Sequence, residues 1–205
     1  MKKTRNGEYV EFGTGNGDET NTRLFREQYG WWGLLMDGYA ANNDNPKINL
    51  HNEKISHQNI LDLFAKYKVS QDLDLLSVDT DYADYWILEK ILGQYTPKLV
   101  VVETSPEKEC VTVAKPDEIT FWDGKSRYAG ASLCAYQCMS KRYGYTIVYC
   151  EKKNVNCFWV RNDVLDKFFG IKHDIFRSVL VSSFLRPSDI KLAGPTDKEW
   201  HVVKC

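Results

Sequence analysis

The feature that most restricts the fold is the alternation of short apolar runs with longer amphipathic stretches along the chain. The run Leu99-Val100-Val101-Val102 has no polar alternation, which is typical of a strand buried on both faces of a parallel sheet. The other predicted strands cover residues 9–12, 34–36, 48–50, 73–78, 145–150 and 157–160. The predicted helices cover residues 18–29, 56–67, 85–92 and 129–142. This order predicts an α/β fold, a doubly wound, mostly parallel sheet with a C-terminal antiparallel hairpin strand.

Length and charge limit the classes of function. The chain has 205 residues, which is enough for one domain with its own core. Its formal net charge of -1 disfavours a nucleic-acid binder held by bulk electrostatics. The sequence has no apolar run of about 18 residues, the length that spans a membrane, and residues 1–7 are not followed by the apolar stretch of a signal peptide. We therefore expect a cytoplasmic protein with no membrane segment and no nucleic-acid partner.

The six cysteines give no sign of a metal site or of a disulfide framework. They stand at positions 110, 134, 138, 150, 157 and 205, and none belongs to a C-x-x-C pair. Their spacing matches neither a zinc motif nor the dense pattern of a small disulfide-rich domain. We expect reduced thiols that are mostly buried, since free cysteine packs as a small apolar residue.

Carboxylates stand at the ends of four predicted strands. These residues are Glu11, Asp37, Asp79 with Asp81, and Glu103. In an open parallel sheet, ligands bind at the carboxyl ends of the strands, so the pattern predicts a ligand site at that edge. The alternative is that these side chains only cap helices and close turns.

A glycine turn, Gly13-x-Gly15-x-Gly17, follows the first strand, and Asp18 and Glu19 come directly after it. The spacing differs from the G-x-G-x-x-G of dinucleotide-binding proteins. Two carboxylates at the start of a helix would repel a pyrophosphate, whereas they suit a ligand with an amino group and a sulfonium. Asp37 lies about 20 residues beyond the turn, where an acidic residue accepts hydrogen bonds from ribose hydroxyls. The pattern therefore favours S-adenosylmethionine over NAD, and an NAD-dependent oxidoreductase ranks last.

Five segments resemble the FkbM-type methyltransferases, and they occur in the same order as in that family. They are EFGTGNG at 11–17, GLLMDG at 33–38, LSVDTDYADYW at 76–86, GASL at 130–133 and NCFWVR at 156–161. The resemblance covers residues 8 to about 165. It implies a class I, Rossmann-like fold that uses S-adenosylmethionine to methylate hydroxyl groups of natural products or glycans.

The resemblance also assigns residues and domain bounds. By matching position, Glu11, Gly13, Gly15 and Asp37 would hold the cofactor, with Thr14 and Gly17 in the same turn. Residues 1–165 would form the methyltransferase domain, with a lid-like insertion at 104–128, and residues 166–205 a C-terminal extension packed on it. Two features depart from the family: Glu103-Thr104-Ser105 replaces a Glu-Tyr-Asn-like stretch, and only eight residues precede the first strand.

Asp79 and Asp81 are the predicted catalytic residues. A carboxylate at the end of the fourth strand is suited to remove the proton of an acceptor hydroxyl. Asp79, Asp81 and Glu103 could instead bind Mg²⁺, which prefers oxygen ligands and lowers the pKa of a bound hydroxyl. For Asp81 and Asp84 the alternative is a helix N-cap. Trp86, Trp122 and Tyr128 are candidates to line the acceptor pocket, or else belong to the core.

Two functions from different classes follow from these features. The first is an O-methyltransferase that uses S-adenosylmethionine and acts on a small-molecule or glycan hydroxyl. The second is a catalytically inactive protein that keeps the methyltransferase fold as a binding module or scaffold. Apolar residues between Ile175 and Leu185 are expected to pack on the chain's own sheet, with a homodimer surface as the alternative.

Overall fold

The computed structural model describes residues 6–38, 44–151, 155–169 and 198–205. Its strands are β1 Glu8–Phe12, β2 Trp32–Asp37, β3 Leu50–Asn52, β4 Leu75–Val78, β5 Leu99–Glu103, β6 Val111–Thr112, β7 Tyr145–Cys150, β8 Asn156–Arg161 and β9 His201–Val202. Its helices are α1 Arg23–Gln28, α2 Ile60–Lys66, α3 Asp84–Leu92, α4 Leu133–Tyr143 and α5 Asn162–Phe169. The predicted apolar cluster between Ile175 and Leu185 lies outside the described residues.

Seven strands form one sheet in the order β3-β2-β1-β4-β5-β8-β7. The five strands from β3 to β5 are parallel, and β8 and β7 join as an antiparallel hairpin beside β5. This confirms the predicted α/β class with its mostly parallel sheet and closing hairpin. The chain runs outward from β1 to β3 and then crosses back to β4, so the order reverses between β1 and β4. Ligand crevices of doubly wound folds open at such a reversal, outside the carboxyl ends of the strands.

Both faces of the central strands are buried. On one face Val10, Phe12 and Met36 belong to a large apolar cluster with residues of α2, α3 and α4. On the other face Tyr9 and Leu35 form a smaller cluster covered partly by aromatic rings near α1. Neighbouring residues of a strand point to opposite faces, which explains why these runs are apolar without alternation.

The first helix is shorter than its pattern predicts, because a buried carboxylate binds the segment ahead of it. The Glu11 carboxylate accepts hydrogen bonds from the backbone N–H of Asn21 (2.7 Å) and of Thr22 (3.0 Å) and from the Thr22 hydroxyl (2.5 Å). The helix then begins at Arg23 and has no acidic residue in its first turn. The prediction that Asp18 and Glu19 open this helix is therefore wrong.

The segment 104–128 contains a short strand, β6, which pairs with β9 near the C-terminus. The indole of Trp86 donates to the carbonyl of Val113 at 2.9 Å, and the Tyr128 hydroxyl donates to the carbonyl of Glu199 at 2.8 Å. The ring of Trp200 lies 4.8 Å from that of Tyr128, between centroids. The ring of His201 lies 5.1 Å from that of Trp86 in α3, so the described C-terminal residues pack against both this segment and α3.

All six cysteines form disulfides, so the expectation of reduced thiols is wrong. The pairs are Cys110–Cys134, Cys138–Cys205 and Cys150–Cys157. Their members are 24, 67 and 7 residues apart, and the two longer pairings depend on how β6 and β9 dock on α4. Connectivity of this kind does not follow from sequence spacing. Within the described residues, no helix is both long and apolar enough to cross a bilayer.

Candidate active site

A cleft opens at the reversal of strand order, where β1, β2 and β4 end. Its volume is about 100 Å³, and it is lined by Gly13, Asp37, Gly38, Ile55, Asp79, Thr80, Asp81, Thr120 and Phe121. Pockets that enclose a drug-sized ligand have volumes of about 300 Å³ or more. A nucleoside bound here would therefore lie partly in the open mouth of the cleft.

The glycine turn places its backbone against the end of β4. Gly13 has a φ of +67°, and a Cβ built on it would lie 1.6 Å from the carbonyl oxygen of Asp79. Its N–H donates to the carbonyl of Met36 at 3.1 Å. Only glycine fits this position, because any side chain would overlap the Asp79 backbone. The close approach brings the ends of β1, β2 and β4 together at the cleft.

Asp37, the last residue of β2, is joined to the same turn. Its carboxylate accepts the Gly15 N–H at 2.8 Å, and its side chain is buried. A Cβ built on Gly15 would meet no atom within 4 Å, so this part of the turn faces open space. The backbone at Gly15 is thus open to the close approach of a ligand.

Thr14 and Gly17 complete the turn without lining the cleft. Thr14 is buried, and its hydroxyl has no hydrogen-bond partner among the described residues. The N–H of Gly17 donates to the carbonyl of Thr14 at 2.8 Å. Glu11 also lies away from the cleft lining, and burial raises the pKa of its carboxyl. Because the Glu11 carboxylate accepts hydrogen bonds from Asn21 and Thr22, it holds the segment before α1 in place.

The predicted catalytic and metal-binding carboxylates come together. Asp79, Asp81 and Glu103 each offer an oxygen, and these oxygens lie within 4.8 Å of one another. Asp81 has a φ of +63°, a left-handed conformation that aspartate tolerates better than most residues. Among the described residues, no salt bridge reaches Asp79, Asp81 or Glu103. The cluster therefore carries uncompensated negative charge.

Burial and mutual repulsion shift the pKa values of this cluster upward. Burial, together with the charge of Glu103, raises the pKa of Asp79 to about 9. Burial, together with the charges of Asp84 and Asp81, raises the pKa of Glu103 to about 7. The protonated Asp79 carboxyl donates a hydrogen bond to the Glu103 carboxylate, so the pair shares one proton near neutral pH. Burial and the charge of Asp37 also raise the pKa of Asp81.

Asp84 supports the loop that carries Asp81 and is not an N-cap. The residue at the N-cap of α3 is Ala83, so neither Asp81 nor Asp84 takes that role. The Asp84 carboxylate is buried and accepts hydrogen bonds from the Thr80 N–H (2.6 Å) and hydroxyl (2.7 Å). Burial raises its pKa to about 6.

Sequence reasoning missed five of the residues that line the cleft: Gly38, Ile55, Thr80, Thr120 and Phe121. Phe121 is 52% exposed and stands beside Trp122 in the predicted lid. The candidates Trp86 and Tyr128 are buried in the core, and Trp122 packs against it and donates its indole N–H to the carbonyl of Ser126. The sequence shows that the predicted lid is rich in aromatic residues, but it does not tell which of the rings is exposed at the cleft.

A buried tyrosine adjoins the cluster and was also missed. Tyr136 in α4 is fully buried, and its hydroxyl has no hydrogen-bond partner among the described residues. Burial, with the nearby charges of Asp84 and Glu103, raises its pKa well above the ordinary 10. Its phenol therefore stays neutral.

No family model and no curated protein matches the chain, so the FkbM-type resemblance is not confirmed. One similar structure is "Crystal Structure of the N-terminal domain of EvdMO1 with SAH bound", with 10% identity over 75% of this chain and 72% of that chain, and a TM-score of 0.42. Another is the same domain "in the presence of SAH and D-fucose", with 9% identity over 75% and 74% of the chains, and a TM-score of 0.42. Similarity this low carries no argument about activity.

Proposed function

We propose that this chain is an S-adenosylmethionine-dependent O-methyltransferase that acts on a hydroxyl group of a small molecule or glycan. The observation that carries the proposal is the position of the acidic cleft. Asp37, Asp79 and Asp81 line it beside Gly13, at the reversal of strand order. A crevice at that position is where doubly wound folds bind nucleotides.

The charge of the cleft selects among nucleoside cofactors. The pyrophosphate of NAD would be repelled by Asp37, by Asp81 and by the negative charge that the Asp79–Glu103 pair retains. S-adenosylmethionine has no phosphate and carries a positive sulfonium. Its ribose hydroxyls are suited to the Asp37 carboxylate, and the backbone at Gly15 leaves room for its amino-acid part. Asp18 and Glu19 make no part of this selection, because they do not stand at a helix start.

Asp79 and Glu103 supply the acid–base function in this proposal. The bound cofactor would supply an electrophilic methyl group. The carboxylate pair shares one proton near neutral pH, so its ionised member is available to accept the proton of an acceptor hydroxyl. A raised pKa makes that carboxylate a stronger base than an exposed aspartate. Thr80 and Asp84 hold the adjoining loop in place, which serves the positioning that such a displacement requires.

Mg²⁺ is a further part of the proposal. Asp79, Asp81 and Glu103 offer three oxygens close together, the ligand type that Mg²⁺ prefers. A cation held there would relieve their repulsion and lower the pKa of a neighbouring hydroxyl.

Two observations favour the alternative, an inactive binding module. The Gly15 N–H is already bound by the Asp37 carboxylate, and the cleft has a volume of only about 100 Å³. A protein that kept the fold but no longer opened this cleft would show the same two features.

Calorimetric titration with S-adenosylmethionine and with S-adenosylhomocysteine separates the two functions. Micromolar binding by the wild-type chain that is lost in Asp37→Ala would support the methyltransferase, and Asp62→Asn, an exposed aspartate on α2, is the control. Binding would justify a screen of hydroxylated small molecules and glycans with Mg²⁺ and with a chelator. Absence of binding would favour the inactive module.

A further inference from the structure

Four of the six cysteines converge beside α4. Cys134 and Cys138 stand one turn apart on this helix, Cys110 immediately precedes β6, and Cys205 follows β9. The Sγ atoms of Cys110, Cys134 and Cys138 lie within 4.8 Å of one another. Cys205 is bonded to Cys138, so its sulfur belongs to the same cluster. We call these four residues the thiol cluster.

Backbone contacts outside the disulfides hold the cluster together. Val111 and Thr112 of β6 pair with β9, and the Val203 N–H donates to the carbonyl of Cys110 at 2.8 Å. The Ser132 N–H, just before α4, donates to the carbonyl of Val111 at 2.9 Å. None of these bonds involves a cysteine sulfur, so reduction of the disulfides does not itself remove the contacts that hold the three segments side by side.

The spacing of the sulfurs fits a tetrahedral metal ion. Zinc binds thiolate sulfur at about 2.3 Å, which puts the four sulfurs of a tetrahedral site about 3.8 Å apart. Small side-chain rotations bring sulfurs that lie within 4.8 Å to that separation. Cys134 is also the second residue of α4, whose N-cap is Ser132, and the positive end of a helix favours the thiolate form.

We propose that the thiol cluster, once reduced, binds one Zn²⁺ through Cys110, Cys134, Cys138 and Cys205. Disulfides are rare where cellular thiols are kept reduced, and in such a compartment four clustered thiols form a complete Cys₄ zinc site. The ion would link the C-terminal strand β9 to α4 in place of the Cys138–Cys205 bond. The site is separate from the acidic cleft and does not depend on the proposed function.

The redox change balances with a thiol reductant. Each disulfide takes up two electrons and two protons from a dithiol, which is itself oxidised to a disulfide. The four thiols then release four protons as they bind one Zn²⁺. Cys205 is exposed, and Cys110 and Cys134 are half-buried, so both disulfides have a sulfur within reach of the reductant.

Metal content of the full chain tests the proposal. The chain is reduced with a phosphine, mixed with Zn²⁺, passed through a desalting column and analysed by mass spectrometry of the metal. We expect about one zinc ion per reduced chain and none per oxidised chain. With Co²⁺ as the probe, the reduced chain should show the absorption of tetrahedral cobalt thiolate.

Matched variants decide whether the thiol cluster is the ligand set. Cys134→Ser with Cys138→Ser should abolish binding, whereas Cys150→Ser with Cys157→Ser, which removes the cross-strand pair of β7 and β8, should leave it intact. Cys205→Ser changes only the exposed last residue and should weaken binding in a chain whose far-ultraviolet circular dichroism is unchanged. Equal zinc in all variants, or no zinc in the reduced wild-type chain, would overturn the proposal.

Discussion

A Cβ on Gly13 would lie 1.6 Å from the carbonyl oxygen of Asp79. The glycine turn after β1 is therefore in direct contact with the backbone of the aspartate that follows β4. The contact links two strands that are 66 residues apart along the chain, counting from Gly13 to Asp79. It places the glycine turn and the basic carboxylate of the proposed reaction at one point of the cleft. A change at Gly13 therefore affects both.

Gly13→Ala should destabilise the chain by about 3 kcal/mol or more, because a methyl group would overlap the Asp79 backbone. Gly124→Ala is a matched control, since Gly124 also has a positive φ (+71°) but a Cβ there meets nothing within 4 Å. That control should lose only about 1–2 kcal/mol, the intrinsic penalty of a left-handed residue. Urea unfolding measures the free energy of unfolding of both variants. Similar losses in the two variants would show that the close approach is not tight.

Gly15→Ala should fold and yet bind the cofactor poorly. Its Cβ would project into open space beside Asp37, so the loss of stability should again be about 1–2 kcal/mol. The affinity for S-adenosylhomocysteine should fall at least about tenfold, because the methyl group keeps a ligand from the turn backbone. Calorimetry compares this variant with Gly124→Ala, which should bind as the wild type does. Unchanged affinity in Gly15→Ala would place the ligand elsewhere.

The unfolding free energy should fall as the pH rises from about 5 to 9. The folded-state pKa is about 9 for Asp79 and about 7 for Glu103, against ordinary values of 3.8 and 4.5. The folded chain therefore binds more protons than the unfolded chain across this window, and stability declines with pH. Carboxyls with a lowered pKa, such as Asp163, titrate below this pH window and do not affect the trend within it. The pKa of His57 is lowered from 6.5, mainly by burial, and this acts in the opposite direction just below that ordinary pKa.

The contribution of Asp79 is isolated by the difference between wild type and Asp79→Asn, in which the effect of His57 cancels. We expect the wild type to lose thermal stability from pH 5 to 9 and the variant to lose less. A difference on the order of 1 kcal/mol corresponds to about 2–4 °C in Tm for a chain of this size. Parallel curves for the two proteins would mean that Asp79 titrates near its ordinary pKa.

Asp79 lines the cleft and shares one proton with Glu103, so it can accept the hydroxyl proton only as its own proton passes to Glu103. The amide of Asp79→Asn cannot take part in this exchange, and the variant should lose methyl transfer while it still binds S-adenosylhomocysteine. Turnover is measured with labelled cofactor and an acceptor found in the screen. The loss should be about 100-fold or more, the usual contribution of a general base. Asp62→Asn should keep full turnover. Full turnover by Asp79→Asn would exclude Asp79 as the base.

Phe121→Ala should lower cofactor affinity by about 5- to 150-fold, since stacking of a base on an aromatic ring contributes about 1–3 kcal/mol. Phe121 is 52% exposed at the cleft, and Tyr149 on β7 is exposed to a similar extent, 51%. Tyr149→Ala is therefore the control for loss of an exposed ring. Both variants should melt within a few degrees of the wild type. Equal affinity in the two variants would show that Phe121 does not contact the adenine.

The parallel sheet and the acidic edge of the cleft were predictable from local pattern. The unbroken apolar run Leu99–Val102 indicates a strand buried on both faces, and Asp37 and Asp79 directly follow predicted strands. In a parallel sheet those ends lie at one edge, so the placement of Asp37, Asp79 and Glu103 at the same edge follows from the parallel arrangement. The information lies within a few residues of each strand.

Features that depend on long-range contacts were not predictable. The backbone N–H groups of Asn21 and Thr22 donate to the Glu11 carboxylate, and these hydrogen bonds set the start of α1. The apolar periodicity of a helix carries no information about a buried carboxylate ten residues earlier. The outward position of Phe121, the raised pKa values of Asp79 and Glu103, and the meeting of four cysteines at α4 likewise arise only when distant segments pack. Burial, electrostatic repulsion and sulfur–sulfur proximity depend on distances in space, and these are determined only when the whole chain has folded.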